Sequence, residues 1–188
     1  MRPLTRSMTL LVLLFSLPAM ARNHAPAPTP LSLTTDEDVK VEGVAAATDE
    51  DGDPLAFRLL GNPAHGQASV KPDGHLSYTP QKNFHGDDVF TVEVSDGKKG
   101  ARWKVVVRVA PANDAPVARP VSLSTREDVE ARGACAVSDV DGDALRFRVL
   151  TGPAHGTAQV DPHSGALSYQ PAPDTSGPDA FSVEASNN

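Results

Sequence analysis

Most of the chain after residue 21 consists of short segments in which apolar and polar residues alternate. In LAFRL (residues 55–59) the leucines and the phenylalanine fall on one side and the arginine on the other. WKVVVRV (residues 103–109) likewise has an apolar side chain at every odd position. A period of two is typical of β-strands with one buried face, whereas a helix would show a period of 3.6 residues. Since Gly, Pro, Asp and Asn separate these segments, the pattern predicts an all-β fold.

The pattern occurs twice, at a separation of about 90 residues, which is the length of a domain. LSLTTDEDV (residues 31–39) matches VSLSTREDV (residues 121–129), and DEDGD (residues 49–53) matches DVDGD (residues 139–143). About seven short strands in each copy predict a two-sheet β-sandwich of immunoglobulin-like shape. The sequence therefore predicts two tandem Ig-like β-sandwich repeats.

The second repeat is expected to lack its last strand. The first repeat closes with ARWKVVVRVA (residues 101–110), and the second repeat has no counterpart to this segment. The preceding strand, residues 179–185, is then an open edge that can pair with another strand. We accordingly place the first repeat at residues 31–111 and a truncated second repeat at residues 121–188.

Three further segments complete the division of the chain. Residues 1–21 contain two arginines, an apolar run and an Ala-x-Ala ending, which is the pattern of a cleaved signal peptide. Because the apolar run is too short to span a bilayer, we expect export without membrane insertion after cleavage. The Pro- and Ala-rich residues 22–30 predict an extended leader, and residues 112–120 form the linker between the repeats.

Composition narrows the classes of function. The formal net charge is −7, and an acidic exported protein is a poor partner for nucleic acid and a good one for cations. With Cys135 as the one cysteine, no intramolecular disulfide can form. The sequence contains no common nucleophile–base or zinc-protease motif, so we expect no enzymatic activity.

The acidic residues are grouped in short loops. In an up-and-down sandwich, the DEDGD loop lies at the top of the first repeat, and the DVDGD loop lies at the top of the second, where the linker enters. The glycine in each loop permits a tight bend that turns the carboxylates inward. The junction between the repeats thus gathers acids from three stretches of chain. The upper cluster of the first repeat comprises Asp49, Asp51, Asp53 and Asp96.

Crowded carboxylates favour a bound cation. Two carboxylates 4 Å apart repel by roughly 4 kcal/mol at an effective dielectric constant near 20, and a divalent cation reverses the sign of that interaction. Calcium accepts about six to eight oxygen ligands with tolerant geometry, so it suits these loops better than magnesium. The alternative is that each aspartate lies in a solvated loop and stabilises a turn.

Several motifs in a fixed order carry a family resemblance: Glu-Asp-Val, Asp-x-Asp-Gly-Asp, Pro-Ala-His-Gly, Leu-Ser-Tyr-x-Pro, Gly-x-Asp-x-Phe and Asn-Asp-Ala-Pro. Over residues 31–188 the chain resembles the cadherin-like, Ig-like tandem repeats of bacterial surface adhesins. The resemblance implies calcium at the repeat junction and a role in adhesion or as a stiff surface stalk. It implies these ligands between the repeats: Glu37, Asp88, Asn113, Asp114, Asp139 and Asp141.

The resulting expectation is an exported, calcium-binding module of a cell-surface or secreted adhesin, located outside the cell or in the periplasm and stiffened by Ca2+. Its partner would be a surface protein, a glycan or neighbouring repeats. We expect the upper cluster to bind one weaker ion, and Glu127 and Asp179 to form no complete site. The alternative is a metal-free structural spacer or a carbohydrate- or protein-binding β-sandwich.

Overall fold

The computed structural model describes residues 22–187. The predicted signal peptide lies outside the described residues. The regular elements within residues 22–187 are β-strands, which confirms the all-β prediction. No helix in this part of the chain has the length and apolar character that a membrane crossing requires.

The first repeat is a sandwich of two main sheets. One sheet has four strands in the order β2-β9-β8-β5, and the other has three strands in the order β3-β7-β6. The strands are β1 (Ala27–Pro28), β2 (Ser32–Asp36), β3 (Val41–Val44), β4 (Ala47–Thr48), β5 (Ala56–Gly61), β6 (Gly66–Val70), β7 (His75–Pro80), β8 (Gly86–Ser95) and β9 (Gly100–Ala110).

The predicted alternation places the core between these two sheets. In β9, Val105 and Val107 are fully buried, while Lys104 before them and Arg108 after them are exposed. Strand β9 is central because it pairs in parallel with β2 and antiparallel with β8. The largest fully buried side chains are Tyr78, Phe90, Val92, Val94, Val105 and Val107.

The second repeat follows the same plan. Its sheets have the strand orders β11-β15-β14 and β13-β16, and the short strand β10 pairs with β12. The strands are β10 (Val117–Arg119), β11 (Ala131–Ala134), β12 (Ala136–Ser138), β13 (Arg146–Thr151), β14 (Gly156–Val160), β15 (Ala166–Pro171) and β16 (Ser182–Ser186). Among the described residues, no strand takes the place of β9, as the sequence predicted.

The predicted leader and linker both contribute strands, which moves the start of each repeat towards the N-terminus. In the first repeat, β1 pairs with β4, so residues 27–28 belong to the sandwich. In the second, β10 pairs with β12 in the same way. The Pro- and Ala-rich composition correctly indicates extended backbone, but it does not distinguish a free extended segment from an edge strand.

A buried carboxylate connects three parts of the first repeat. Asp88 is 5% exposed, and its two oxygens accept hydrogen bonds from the Ala64 and His65 backbone N–H groups at 2.9 and 2.8 Å and from the Tyr78 hydroxyl at 2.9 Å. Burial alone raises the pKa of Asp88, but these donors outweigh burial and lower it. The Pro-Ala-His-Gly turn is thereby fixed against strands β7 and β8.

The second repeat contains the same arrangement. Asp179 accepts hydrogen bonds from the Ala154 and His155 backbone N–H groups at 2.9 and 2.8 Å and from the Tyr169 hydroxyl at 2.9 Å. Although burial raises the pKa of Asp179, these donors lower it to about 2. The repeated Pro-Ala-His-Gly and Gly-x-Asp-x-Phe motifs are therefore structural partners of each other.

Replacement of Asp88 by alanine is expected to destabilise the first repeat by about 2–3 kcal/mol, because it leaves the buried Tyr78 hydroxyl and two partly buried N–H groups without their acceptor. Since the pKa of Asp88 is lowered, its contribution is present at neutral pH and is lost as the pH falls through that lowered pKa. Denaturant unfolding followed by the fluorescence of Trp103, the one tryptophan, measures the first repeat directly. The control is Asp87→Ala, whose side chain is 72% exposed; an equal loss in both variants would contradict the prediction.

Candidate metal centre at the repeat junction

The linker is bonded directly to the acidic loop of the second repeat. The Asp114 backbone N–H donates to Asp141 Oδ2 at 2.7 Å. The side-chain amide of Asn187 donates to the Asp114 carbonyl at 2.6 Å and to Asp139 Oδ2 at 3.1 Å. The Asn113 amide also donates to the Asp114 carbonyl, at 3.2 Å. Three segments of chain therefore meet around Asp114.

The acidic loop is shaped by its first aspartate. Asp139 Oδ1 accepts hydrogen bonds from the Asp141 and Asp143 backbone N–H groups at 3.1 and 3.2 Å. Gly142 has a φ of 75°, a left-handed conformation that suits glycine and closes the bend. Asp139, Asp141 and Asp143 each offer a carboxylate oxygen within 4.8 Å of the others. The loop thus gathers three carboxylates, as the sequence predicted.

The end of the first repeat supplies two further groups. The backbone N–H of Asn83 donates to Asp38 Oδ1 at 2.9 Å, and the Asn83 amide donates to Asp114 Oδ2 at 2.8 Å. Asp38 and Asn83 both have a φ of 59°, which aspartate and asparagine tolerate better than most residues. Asp38 is thereby connected through Asn83 to the linker.

Glu37 lies where the linker leaves the first repeat. It is 4% exposed, and its Oε1 accepts a hydrogen bond from the Ala112 backbone N–H at 2.7 Å. Its Oε2 lies 3.9 Å from His85 Nδ1. Glu37 therefore holds the start of the linker and keeps one carboxylate oxygen without a close hydrogen-bond donor among the described residues.

The acids from the two repeats interact through Asp114. The pKa of Asp114 is raised, first by burial and then by the negative charges of Asp141, Asp38 and Glu37, while Lys82 lowers it slightly. Among residues 22–187, no lysine or arginine forms a salt bridge with Asp38, Asp114, Asp139 or Asp141. We call Glu37, Asp38, Asp114, Asp139 and Asp141 the junction cluster.

Asp88, which the resemblance implied as a ligand, is not among the residues that meet around Asp114. Its oxygens accept four hydrogen bonds within the first repeat, from Ala64, His65, Tyr78 and Val89. Of the other implied positions, Asn113, Asp139 and Asp141 are connected to Asp114 by hydrogen bonds, directly or through Asn187. Glu37 acts on Asp114 through its charge. The role of all these residues as calcium ligands stays a prediction.

The upper cluster of the first repeat has the same backbone plan as the junction. Asp49 Oδ1 accepts hydrogen bonds from the Asp51 and Asp53 backbone N–H groups at 3.0 and 3.1 Å. The His24 backbone N–H donates to Asp51 Oδ2 at 2.6 Å, as Asp114 does to Asp141. Residues 23–24 therefore stand where residues 113–114 stand in the second repeat, with a histidine in place of the aspartate. Asp49 Oδ2 is buried without a hydrogen-bond partner among the described residues.

Lysines compensate the charge of the upper cluster. Lys98 Nζ contacts Asp53 Oδ2 at 2.9 Å, and Lys99 Nζ bonds the Asn23 carbonyl. The Lys99 backbone N–H, the Asn23 amide and the Lys98 backbone N–H lower the pKa of Asp96 to about 2. The upper cluster thus includes two lysines, of which Lys98 compensates a carboxylate directly.

Sequence reasoning missed three residues that matter here. Asp38 follows Glu37 directly, so the Glu-Asp pair was a usable signal. Asn83 gave none, because its role depends on a turn that meets the linker only in the folded chain. Lys98 follows the Ser-Asp-Gly turn. Its positive charge is evident from the sequence, but its contact with Asp53 depends on the fold.

Comparison with solved structures places the fold among cadherin ectodomains. One crystal form of human protocadherin-24 EC1-2 is similar with a TM-score of 0.62 and 18% identity, over 88% of each chain. A second form gives a TM-score of 0.55 and 19% identity over 87% of each chain. Drosophila N-cadherin EC1-4 is similar with a TM-score of 0.51 and 13% identity, over 87% of this chain and 48% of that chain. At these identities the similarity establishes the fold alone.

Comparison with curated protein sequences finds no significant match. Family models do match: the model described as "Bacterial Ig domain" covers residues 23–108 and again residues 113–188. Both matches begin inside the predicted leader and linker, in agreement with strands β1 and β10. The chain therefore belongs to the bacterial Ig domain family, of which it contains two tandem copies.

Proposed function

We propose that the chain is an extracellular module of an adhesin whose two repeats are held together by calcium at the junction cluster. The observation that carries this proposal is that Asp114 in the linker is hydrogen-bonded to Asn83 of the first repeat and to Asp141 in the acidic loop of the second. Burial and the neighbouring carboxylates raise the pKa of Asp114, in agreement with this crowding. Such an arrangement is unfavourable at neutral pH unless a cation is present. The bacterial Ig family and the cadherin-like fold support an adhesion role.

The groups available at the junction are the oxygen ligands that calcium prefers. Carboxylates come from Glu37 and Asp38 in the first repeat, from Asp114 in the linker, and from Asp139 and Asp141 in the second repeat. The amide oxygens of Asn83 and Asn113 are further candidates. Calcium tolerates mixed carboxylate, amide and carbonyl ligands, whereas magnesium demands a strict octahedron.

The consequence for the molecule is mechanical. A cation shared by ligands from both repeats opposes the mutual repulsion of those ligands and fixes the angle at which the repeats meet. Binding to the folded junction alone also stabilises it through mass action. We expect a dissociation constant of about 0.1–1 mM, which is common among extracellular modules.

The upper cluster is proposed to bind calcium more weakly than the junction. Lys98 already compensates Asp53, and a bound cation would have to displace that ammonium group or tolerate its charge. The unpartnered Asp49 Oδ2 is the group that most favours a cation there.

A metal-free spacer remains the second candidate, and one observation favours it. The hydrogen bonds from the Asn83 amide to Asp114 and from the Asp114 N–H to Asp141 already connect the first repeat to the second through the linker without a metal. In that case the partner would bind elsewhere on the sandwiches. The partner is in either case a surface protein, a glycan or a neighbouring repeat, and the predicted signal peptide would direct the chain out of the cytoplasm.

Calcium titration by calorimetry tests the site. Asp114→Asn and Asp141→Asn are each expected to weaken the strongest calcium binding at least about tenfold, a loss of about 1.4 kcal/mol. Glu42→Gln is the matched control, because it removes one negative charge from an exposed strand position, where the glutamate forms a salt bridge with Lys40. Absence of binding at millimolar calcium, or an equal effect of all three substitutions, contradicts the proposal and leaves the metal-free spacer.

The raised pKa of Asp114 gives a pH dependence. Because this carboxylate takes up a proton at a higher pH than an ordinary aspartate, calcium affinity is full at neutral pH and falls as the pH drops through the raised pKa. Titrations between about pH 7.5 and pH 5 measure the loss. The calcium affinity of the Asp114→Asn variant should depend less steeply on pH than that of the parent protein. If both proteins show the same pH profile, the titrating group is not Asp114.

Rigidity is tested by a distance measurement between the repeats. The separation of the two sandwiches is measured between two spin labels in a Cys135→Ser background. The labels are attached at Gln67→Cys and Thr157→Cys, which are exposed positions of β6 and β14. The distribution of label distances should narrow on calcium addition and broaden again with chelator. If saturating calcium leaves the distribution of label distances unchanged, calcium does not stiffen the junction and the mechanical part of the proposal is wrong.

A further inference from the structure

The segment that leads into β1 is joined to the upper cluster at two consecutive residues. The His24 backbone N–H donates to Asp51 Oδ2 at 2.6 Å, and the Asn23 side-chain amide donates to Asp96 Oδ2 at 2.7 Å. Strand β1 follows and pairs with β4. These contacts hold residues 23–28 against both the Asp-Glu-Asp-Gly-Asp loop and the turn between β8 and β9.

Two lysine side chains complete the same contact. Lys98 Nζ donates to Asp53 Oδ2 at 2.9 Å and to the Asn23 side-chain oxygen at 3.2 Å. Lys99 Nζ donates to the Asn23 main-chain carbonyl. The ammonium groups thus contact a carboxylate, an amide oxygen and a main-chain carbonyl. Calcium uses these three kinds of oxygen ligand in proteins, so the lysines contact atoms that a metal ion could otherwise bind.

The charge of Lys98 acts on more than one carboxylate. The pKa of Lys98 is raised first by its hydrogen bond and charge interaction with Asp53, and further by the charges of Asp96 and Asp51, although burial lowers it. An ordinary lysine already titrates well above neutral pH. Lys98 therefore carries a full positive charge under all conditions in which calcium binding to the protein would be measured.

The contacts of Lys98 form a network rather than an isolated ion pair. The Lys98 side chain is 63% exposed, and a single ion pair at such a position contributes little to stability. Here one ammonium group joins Asp53 in the acidic loop to Asn23 in the segment before β1. Networks of this kind contribute more than isolated exposed pairs, so loss of Lys98 should affect the attachment of residues 23–28.

The upper cluster has a need for positive charge that Lys98 meets in part. Asp49, Asp51 and Asp53 each offer a carboxylate oxygen within 4.8 Å of the others. Asp49 Oδ2 is buried and has no hydrogen-bond partner among the described residues. Removal of the Lys98 charge would increase the repulsion among these carboxylates. The cluster would then gain more from a metal ion than it does with Lys98 present.

We propose that Lys98 is an internal cation that takes the place of a metal ion at the upper cluster and holds residues 23–28 against the first repeat. Lys99 assists through the Asn23 carbonyl. The upper end of the first repeat is thereby ordered without calcium. Lys98 also determines that calcium binds at the junction in preference to this loop. The attachment of residues 23–28 is independent of the calcium site proposed at the junction, whereas the preference rests on it.

Hydrogen exchange of the full chain in the presence of chelator tests the attachment. Lys98→Met removes the charge and keeps much of the aliphatic side chain. The backbone N–H groups of His24 and Thr29, the latter bonded to the Ala46 carbonyl at 2.8 Å, are expected to exchange at least about threefold faster in this variant, because the segment opens more often. The control is Lys104→Met, at an exposed position of β9, which should leave both rates unchanged.

Equal exchange rates in the parent protein and in Lys98→Met would show that Lys98 does not hold the segment. An equal acceleration in Lys104→Met would assign the effect to net charge. Either result overturns the attachment.

Addition of calcium tests whether Lys98 takes the place of a metal ion. The measurement is made in an Asp141→Asn background, which keeps it separate from calcium binding at the junction. In Lys98→Met, millimolar calcium should return the exchange of the His24 and Thr29 N–H groups towards the parent rate, because the ion binds where the ammonium group was. In the protein that retains Lys98, the same calcium concentration should change these rates less than about twofold.

Two results would overturn the replacement of a metal ion by Lys98. One is that calcium slows exchange as strongly with Lys98 present as without it. The other is that calcium fails to slow exchange in Lys98→Met, which would leave Lys98 as an ordinary surface contact. Neither result bears on calcium binding at the junction, which the calorimetric titration measures separately.

Discussion

One backbone hydrogen bond positions the entrance of each repeat: the N–H of the residue before Ala-Pro donates to the second aspartate of the Asp-x-Asp-Gly-Asp loop. It joins His24 to Asp51 in the first repeat and Asp114 to Asp141 in the second. The short strands β1 and β10 follow directly and pair beside the loop. Because this bond uses the main chain, the side chain at the same position is free to determine the charge of the site.

That side chain makes the two ends of the repeats electrostatically different. At the upper end, His24 lies beside Asp51, and Lys98 is the cationic partner of Asp53. At the junction, Asp114 adds a carboxylate to those of Asp141, Asp38 and Glu37, and the repulsion appears as its raised pKa. The same loop motif thus meets a histidine at the upper end and a further carboxylate at the junction, a difference that a count of aspartates does not reveal.

The sequence was sufficient for the features that depend on local pattern. Alternation in segments such as residues 103–109 predicted strands and core, and the two copies predicted the strand missing from the described part of the second repeat. The hydrogen bonds of Asp88 within the first repeat could not be predicted, because they depend on where the fold places Ala64, His65 and Tyr78 relative to the Gly-x-Asp-x-Phe motif. Asn83 was missed because its contact with Asp114 joins segments distant in sequence.

Strand β16 is the element that connects the second sandwich to the junction. It ends at Ser186, and the next residue, Asn187, donates to the Asp114 carbonyl and to Asp139. Pairing with β13 restrains the backbone that leads to Asn187. In the first repeat the equivalent residue, Asp96, follows a strand paired on both sides and is held by Lys99 and Asn23. Strand pairing and charge at the end of the sandwich are therefore coupled through one residue.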